Sequence, residues 1–267
     1  MPYRIKNIIQ EKSIKIQNGV YYLSEPSQND IVAEKLYLEV RKKESRIYDD
    51  STVKLLPNVN ISHKYYNEWR KRSSSSDMLC KYFSADKSLK GILEIGCGNG
   101  WFASKIAGDS NSIVFGLDIN IPELEQGARV FNKYENLFFL YGDIFNDVLT
   151  YLRFDYIILA SSLAYFEDAE VLLKRLLTLL NYKGEIHFID NPVYKTNEIE
   201  HANRRTKEYY ERLGSAEMSK HYFHHNLFEV LKEYNYKVLY NPKSLINKIK
   251  RKVNKDFSPF YWIKVRK

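Results

Sequence analysis

Ile92–Ala107 reads ILEIGCGNGWFASKIA, and this stretch decides the fold. An apolar run ending at Ile95 meets three glycines at alternate positions, Gly96, Gly98 and Gly100, then passes into a helical pattern from Trp101. A turn this tight needs residues without Cβ, and a ligand can come close to such a backbone. The helix start that follows offers free N–H groups and a positive dipole end. An adenosine-bearing cofactor would lie well across it. The dinucleotide fingerprint G-x-G-x-x-G requires a sixth-position glycine, but Trp101 stands there, which argues against nicotinamide and flavin dinucleotides.

Outward from this turn, strand and helix patterns alternate. Strands are expected at Gly91–Ile95, Ser112–Leu117, Leu137–Tyr141, Tyr156–Ala160, Glu185–Ile189, Lys237–Tyr240 and Pro259–Val265. Helices should begin near Trp101, Pro122, Ile144, Asp168, Ala216 and Leu245. The fold class is therefore α/β, a doubly wound, mostly parallel seven-stranded sheet whose last two strands are close enough to pair antiparallel. The second and third strands run into acids, Asp118 in GLDIN and Asp143 in YGDIF. Asp118 lies near the offset expected of a carboxylate that accepts from both ribose hydroxyls. In such a sheet the ends of the first three strands line one crevice.

The segment 1–63 reads as a small N-terminal α+β appendage: a strand at Val20–Leu23, a helix over Gln28–Ser45 and a strand at Thr52–Leu56. Residues 64–267 form the main domain. It comprises a leading helical segment to 90, with a helix over Lys64–Phe83 or two broken near Ser73, a cofactor-binding half over 91–189, and a substrate-side insertion with the last strands over 190–267.

LEIGCGNG, GLDIN and YGDIF together resemble the successive cofactor motifs of class I, Rossmann-like, S-adenosylmethionine-dependent methyltransferases. The resemblance covers Gly91–Ile189 and extends more weakly to Lys267. It implies that Glu94 and the loop Gly96–Gly100 surround the methionine part of S-adenosylmethionine. Asp118 would hold the ribose, with Ile119 against the adenine. Asp143 would accept from the adenine amino group beside the Ile144 backbone, and Ala160 with Ser161 would pass near the sulfonium. The closing FYWIKV would be the inserted antiparallel strand.

The substrate side is expected after the fourth and fifth strands. Five of the six histidines fall between His187 and His225, interleaved with tyrosines. Tyr209, His221 and His225 are the expected inward-facing catalytic groups, because His221 and His225 would be one helical turn apart and a histidine titrates near neutrality. No metal is expected. HYFHH lacks a nearby carboxylate pair. Asp190-Asn191 resembles the Asp-Asn pair of magnesium-dependent catechol-type O-methyltransferases, but Ala160-Ser161 stands where their other aspartate would be.

The expected reaction is methyl transfer to an oxygen or nitrogen of a small molecule. The alternatives are methylation of RNA or protein, or a cofactor-binding interaction protein without catalysis. A net charge of +8 admits nucleic acid, yet no recognition motif accompanies it, and ASSLAYF lacks the Asn/Asp-Pro-Pro-aromatic motif of amino-directed enzymes. The densest cations, Lys243–Lys255, read as a solvated basic helix or loop. Cys80 and Cys97 make neither a zinc site nor a disulfide framework. No membrane span is visible, and Met1–Gln10 lacks the apolar stretch of a signal peptide, so the cytoplasm is the expected location.

Overall fold

A computed structural model describes residues 14–267; Met1–Gln10 lies outside them. The strands are β1 (Lys15–Gln17), β2 (Val20–Tyr22), β3 (Gly91–Ile95), β4 (Ile113–Asp118), β5 (Leu137–Tyr141), β6 (Phe154–Ala160), β7 (Leu180–Asn191), β8 (Asn235–Tyr240) and β9 (Tyr261–Arg266). The α-helices are α1 (Gln28–Lys43), α2 (Asp50–Leu55), α3 (Tyr66–Ser84), α4 (Trp101–Asp109), α5 (Ile121–Val130), α6 (Ala169–Leu179), α7 (Thr196–Arg212), α8 (Leu227–Leu231) and α9 (Leu245–Val253). The described strands form one sheet in the order β1-β2-β5-β4-β3-β6-β7-β9-β8.

β2 through β7 pair parallel, whereas β9 inserts antiparallel between β7 and β8. The seven expected strands are present, and the hairpin β1–β2 extends the sheet to nine. Both sheet faces are covered, as parallel strands require. Leu172, Leu173, Leu176 and Leu179 of α6 recur at helical spacing and bury against one face. Leu79 and Phe83 of α3 pack with Phe102 and Ile106 of α4 on the other.

Several local expectations change. Thr52–Leu56 is not a strand: its first four residues lie in α2, and Leu56 caps that helix. The Asp49 side chain accepts from the Thr52 N–H at 2.7 Å, a cap that outweighs the β preference of Thr52 and Val53. α3 runs unbroken through its serine run, with Ser75 and Ser76 bonding back to the carbonyls of Lys71 and Ser73. The helices expected near Ile144 and Ala216 are 3-10 turns at Asp147–Tyr151 and Ala216–His221. α7, before the second of these, was not among the expected starts.

His187, one of the clustered histidines, is fully buried behind the sheet rather than at a substrate site. Its Nδ1 accepts from Trp262 Nε1 at 3.0 Å. Beside it, Glu185 joins α3, β7 and β9: it accepts from Tyr82 Oη at 2.7 Å, Lys264 Nζ at 2.9 Å and Arg266 Nε at 2.8 Å. Burial pushes the Glu185 pKa up, but the hydrogen bonds from Tyr82, Lys264 and Arg266, with His187 Nε2 3.3 Å away, outweigh it and hold the carboxyl well below the usual range. Its stabilising contribution is thus complete at neutral pH and is lost as pH falls through the depressed folded value. Glu185→Ala should cost about 3–5 kcal/mol in urea unfolding at pH 7, by leaving Lys264 buried and unpaired. The difference from wild type should shrink in strong acid.

Candidate active site

The C-terminal ends of β3, β4, β5 and β6 open into one cleft of about 360 Å³, within the usual size range of ligand pockets. The glycine loop forms its floor. Gly96 and Gly100 have φ of +69° and +70°. A Cβ on Gly96 would stand 2.5 Å from the Ser162 Cβ, and one on Gly100 would stand 2.2 Å from the Phe139 ring. These two glycines are therefore required first by the chain's own packing. At Gly98 a Cβ would meet Glu123 Oε2 at 2.9 Å.

Asp118, at the end of β4, accepts from the Gly98 N–H at 2.7 Å and from the Asn120 N–H at 2.9 Å. Each carboxylate oxygen keeps a second lone pair for a ligand hydroxyl. Glu94 projects from β3 and is buried, with one oxygen lacking any partner. Burial pushes its pKa up to about 8, helped by Asp118 and opposed by the Ala103 N–H and Arg72. Burial likewise lifts Glu123 to about 7. Six carboxylates line the cleft against three guanidiniums, so it favours a cationic ligand.

Ile119, Asp143, Ile144 and Ala160 all line this cleft with Glu94, Gly96, Gly98 and Asp118, whereas Gly100 packs under Phe139 and does not line it. Past Ala160, Ser161 takes a left-handed φ of 61°, and Asp190 at the end of β7 takes 55°. Strained non-glycine backbone of this kind persists where the surroundings over-determine it. Here Ser161 Oγ donates to the Asp190 carbonyl at 3.0 Å.

A second cavity of about 630 Å³ adjoins the first and shares Tyr37, Arg41, Arg72, Ser161 and Tyr165 with it. Its walls come from α1, α3, α7 and the chain before β9. Six tyrosines line it; Arg41, Arg46, Arg72 and Glu68 face both cavities, and the charges particular to the chamber are Lys71 and Arg205 against Glu44 and Asp190. Arg41 stands at the junction with a buried, unpartnered Nε, and its guanidinium lies 5.4 Å from the Tyr37 ring centroid.

The expected catalytic trio is not brought together. The shared helical face of His221 and His225 does not form, because the 3-10 turn ends at His221 and the chain then runs without helix to Leu227. His221 lines the cofactor cleft. His225 turns its Nε2 to the Phe166 carbonyl at 2.8 Å and lines neither cavity. Tyr209 lines the chamber, with its hydroxyl donated to Glu44. The buried imidazole in the chamber is His224, held by Thr206 Oγ1 at 3.0 Å and Asn203 Oδ1 at 2.8 Å, and burial lowers its pKa.

Asp190 and Asn191 are spent on internal ties. Asp190 Oδ1 accepts from Ser75 and Ser258 Oγ at 2.8 and 2.6 Å, and Asn191 donates to the Leu159 and Ile189 carbonyls. Among the described residues no group of three or more His, Cys, Asp or Glu side chains is placed to hold a metal ion. Residues that sequence reasoning missed are Tyr37 and Arg41 on α1, Arg72 on α3 and Glu123 on α5. Each lies outside the strand-end motifs and carries no spacing signal of its own.

A family model described as a methyltransferase domain matches residues 86–253. No curated protein matches the sequence. Among solved structures, magnesium protoporphyrin IX methyltransferase from Synechocystis, with bound SAH, is similar over 90% of this chain and 100% of that one, at 16% identity and a TM-score of 0.54. A cyclopropane-fatty-acyl-phospholipid synthase-like protein from Lactobacillus casei is similar over 82% and 98%, at 14% identity and 0.52. The YcgJ protein from Bacillus subtilis is similar over 73% and 99%, at 14% and 0.51. At such identities the likeness is one of fold. The family match spans the glycine loop and both strand-end acids, and the reversed last strand completes the same architecture, so the chain belongs to the class I methyltransferases and uses S-adenosylmethionine as its cofactor.

Proposed function

We propose that the enzyme methylates an oxygen or nitrogen of a small molecule held in the tyrosine-lined chamber. The observation that carries this reading is the continuity of the two cavities at Ser161, Tyr165 and Arg41. A chamber of about 630 Å³ walled by side chains suits a free small molecule better than an RNA strand or a protein segment. Its aromatic walls favour an acceptor with an aromatic body, and the unpartnered Arg41 Nε at the junction suits an anionic group on it.

The cleft residues fit the cofactor's parts. Asp118 would accept from the ribose hydroxyls, Ile119 would lie against the adenine, and Asp143 with the Ile144 backbone would meet the adenine edge. The unpartnered Glu94 oxygen and the glycine loop would receive the methionine end, whose ammonium suits a buried carboxylate. When bound, S-adenosylmethionine supplies an electrophilic methyl group on a cationic sulfur. The chain's own task is alignment, with Ala160 and Ser161 beside the reacting centre and Tyr37 and Tyr165 flanking the acceptor. His221, lining the cleft end of this junction, would accept the acceptor's proton. His225 has no part in this proposal, and Tyr209 serves as chamber wall.

Four measurements check this reading. Asp118→Ala should lower cofactor affinity by roughly 2–4 kcal/mol in calorimetry, since charged hydrogen bonds are lost; unchanged affinity would overturn the ribose role. Glu94→Gln should weaken cofactor binding yet stabilise the free enzyme at pH 8. The sign follows from a folded pKa above the unfolded one: protonation favours the folded state, and wild type loses that stability as pH rises from 4.5 to about 8. The thermal advantage of the variant should therefore vanish at pH 4. A mass-shift screen of hydroxylated and amino aromatic acids should find a methylated product, and His221→Gln should cut its turnover roughly a hundredfold with cofactor affinity retained. A screen that yields product only from RNA or protein would displace the small-molecule reading.

A further inference from the structure

Helix α9, LINKIKRKV, is amphipathic with its faces reversed. None of its residues is buried. Leu245, Ile246, Ile249 and Val253 are 79%, 68%, 64% and 84% exposed. At 100° per residue these four fall within an arc of about 100°. The side turned toward the body of the protein is polar: Asn247 and Arg251 are its partly buried positions, and Asn247 Nδ2 donates to the Asn241 carbonyl at 2.9 Å. A helix stabilised by the fold's own core would present the opposite face.

Charge tells what the apolar arc fits. Six cations and no acid lie between Lys243 and Lys255. On the helical projection Lys250 and Lys252 border the arc on its two sides, while Lys248 and Arg251 lie behind it. We propose that α9 docks the enzyme on an anionic lipid surface, its four apolar chains at the acyl boundary and its bordering lysines on lipid phosphates. A nucleic acid would neutralise the cations but leave the apolar arc in water. A second copy would cover the arc but bring two cationic clusters together. An anionic bilayer satisfies both halves of the helix. The position suits an enzyme working at that surface: Asp256 is ion-paired to Arg70 of α3, and Ser258, Pro259 and Phe260, just beyond the helix, line the chamber.

The test is flotation of the full chain with phosphatidylcholine vesicles, pure or containing about one third phosphatidylglycerol. The chain should float with the anionic vesicles alone, less so in high salt. The double variant Ile249→Asn, Val253→Asn, which alters only exposed side chains and no charge, should reduce the bound fraction on the order of tenfold. Its cofactor affinity should match wild type, showing an intact fold. Absence of flotation with anionic vesicles overturns the proposal. So does flotation undiminished in the double variant, which would reflect the chain's general basicity. Self-association abolished by the same variant, or tight RNA binding without vesicle binding, assigns the face elsewhere and equally overturns it.

Discussion

The carboxylate of Asp118 holds the active site in one piece. It reaches from the end of β4 to the Gly98 N–H at 2.7 Å, and its other oxygen takes the Asn120 N–H at the start of α5. The loop it grips cannot relax elsewhere, because Gly96 lies against Ser162 and Gly100 lies under Phe139. Three adjacent strand ends are thereby locked to one another without any ligand. The floor of the cofactor cleft is preorganised, and little ordering remains to oppose binding.

That rigidity supports an electrostatic division. The cleft gathers buried acids whose pKa values burial raises, Glu94 to about 8 and Glu123 to about 7. Without a cation nearby, such groups lower stability at neutral pH. A ligand bearing fixed positive charge relieves that penalty, so the site's instability is a source of selectivity. The guanidiniums of Arg41, Arg46 and Arg72 stand on the wall that this cleft shares with the tyrosine-lined chamber. A product that has surrendered positive charge from the cleft no longer enjoys the same attraction there, which favours its exchange.

Legibility in the sequence followed the range of the interaction. The glycine loop, Asp118 and Asp143 were legible because each lies within a few residues of a strand end and lines the cleft there. The histidines show the same rule in reverse. Proximity along the chain suggested a common face, but a 3-10 turn broke the helical register, sending His221 to the cleft and His225 to the Phe166 carbonyl. The segment Thr52–Leu56 carries strand residues under a helix cap, and the cap prevails because α2 buries Val53 beside Leu124 and Phe131 of the main domain. Arg41, Tyr37 and Glu123 had no local signature. Their roles arise from contacts between parts of the chain that no period or spacing connects.

Those long-range contacts build the roof of the chamber. Val40 of α1 packs with Tyr210 of α7 and with Met218, and Lys43 Nζ donates to the Gly214 carbonyl at 2.7 Å and to Ser215 Oγ at 2.8 Å. Tyr209 closes the same seam on Glu44. Midway along α1, Glu34 accepts from the Ile121 N–H at 2.7 Å, next to the Asn120 grip of Asp118. One helix therefore touches the floor of the cleft with its middle and the roof of the chamber with its end. A substitution that shifts α1 would therefore bear on both cavities. Substitutions along the outer half of α1 would accordingly act on both binding steps rather than on one.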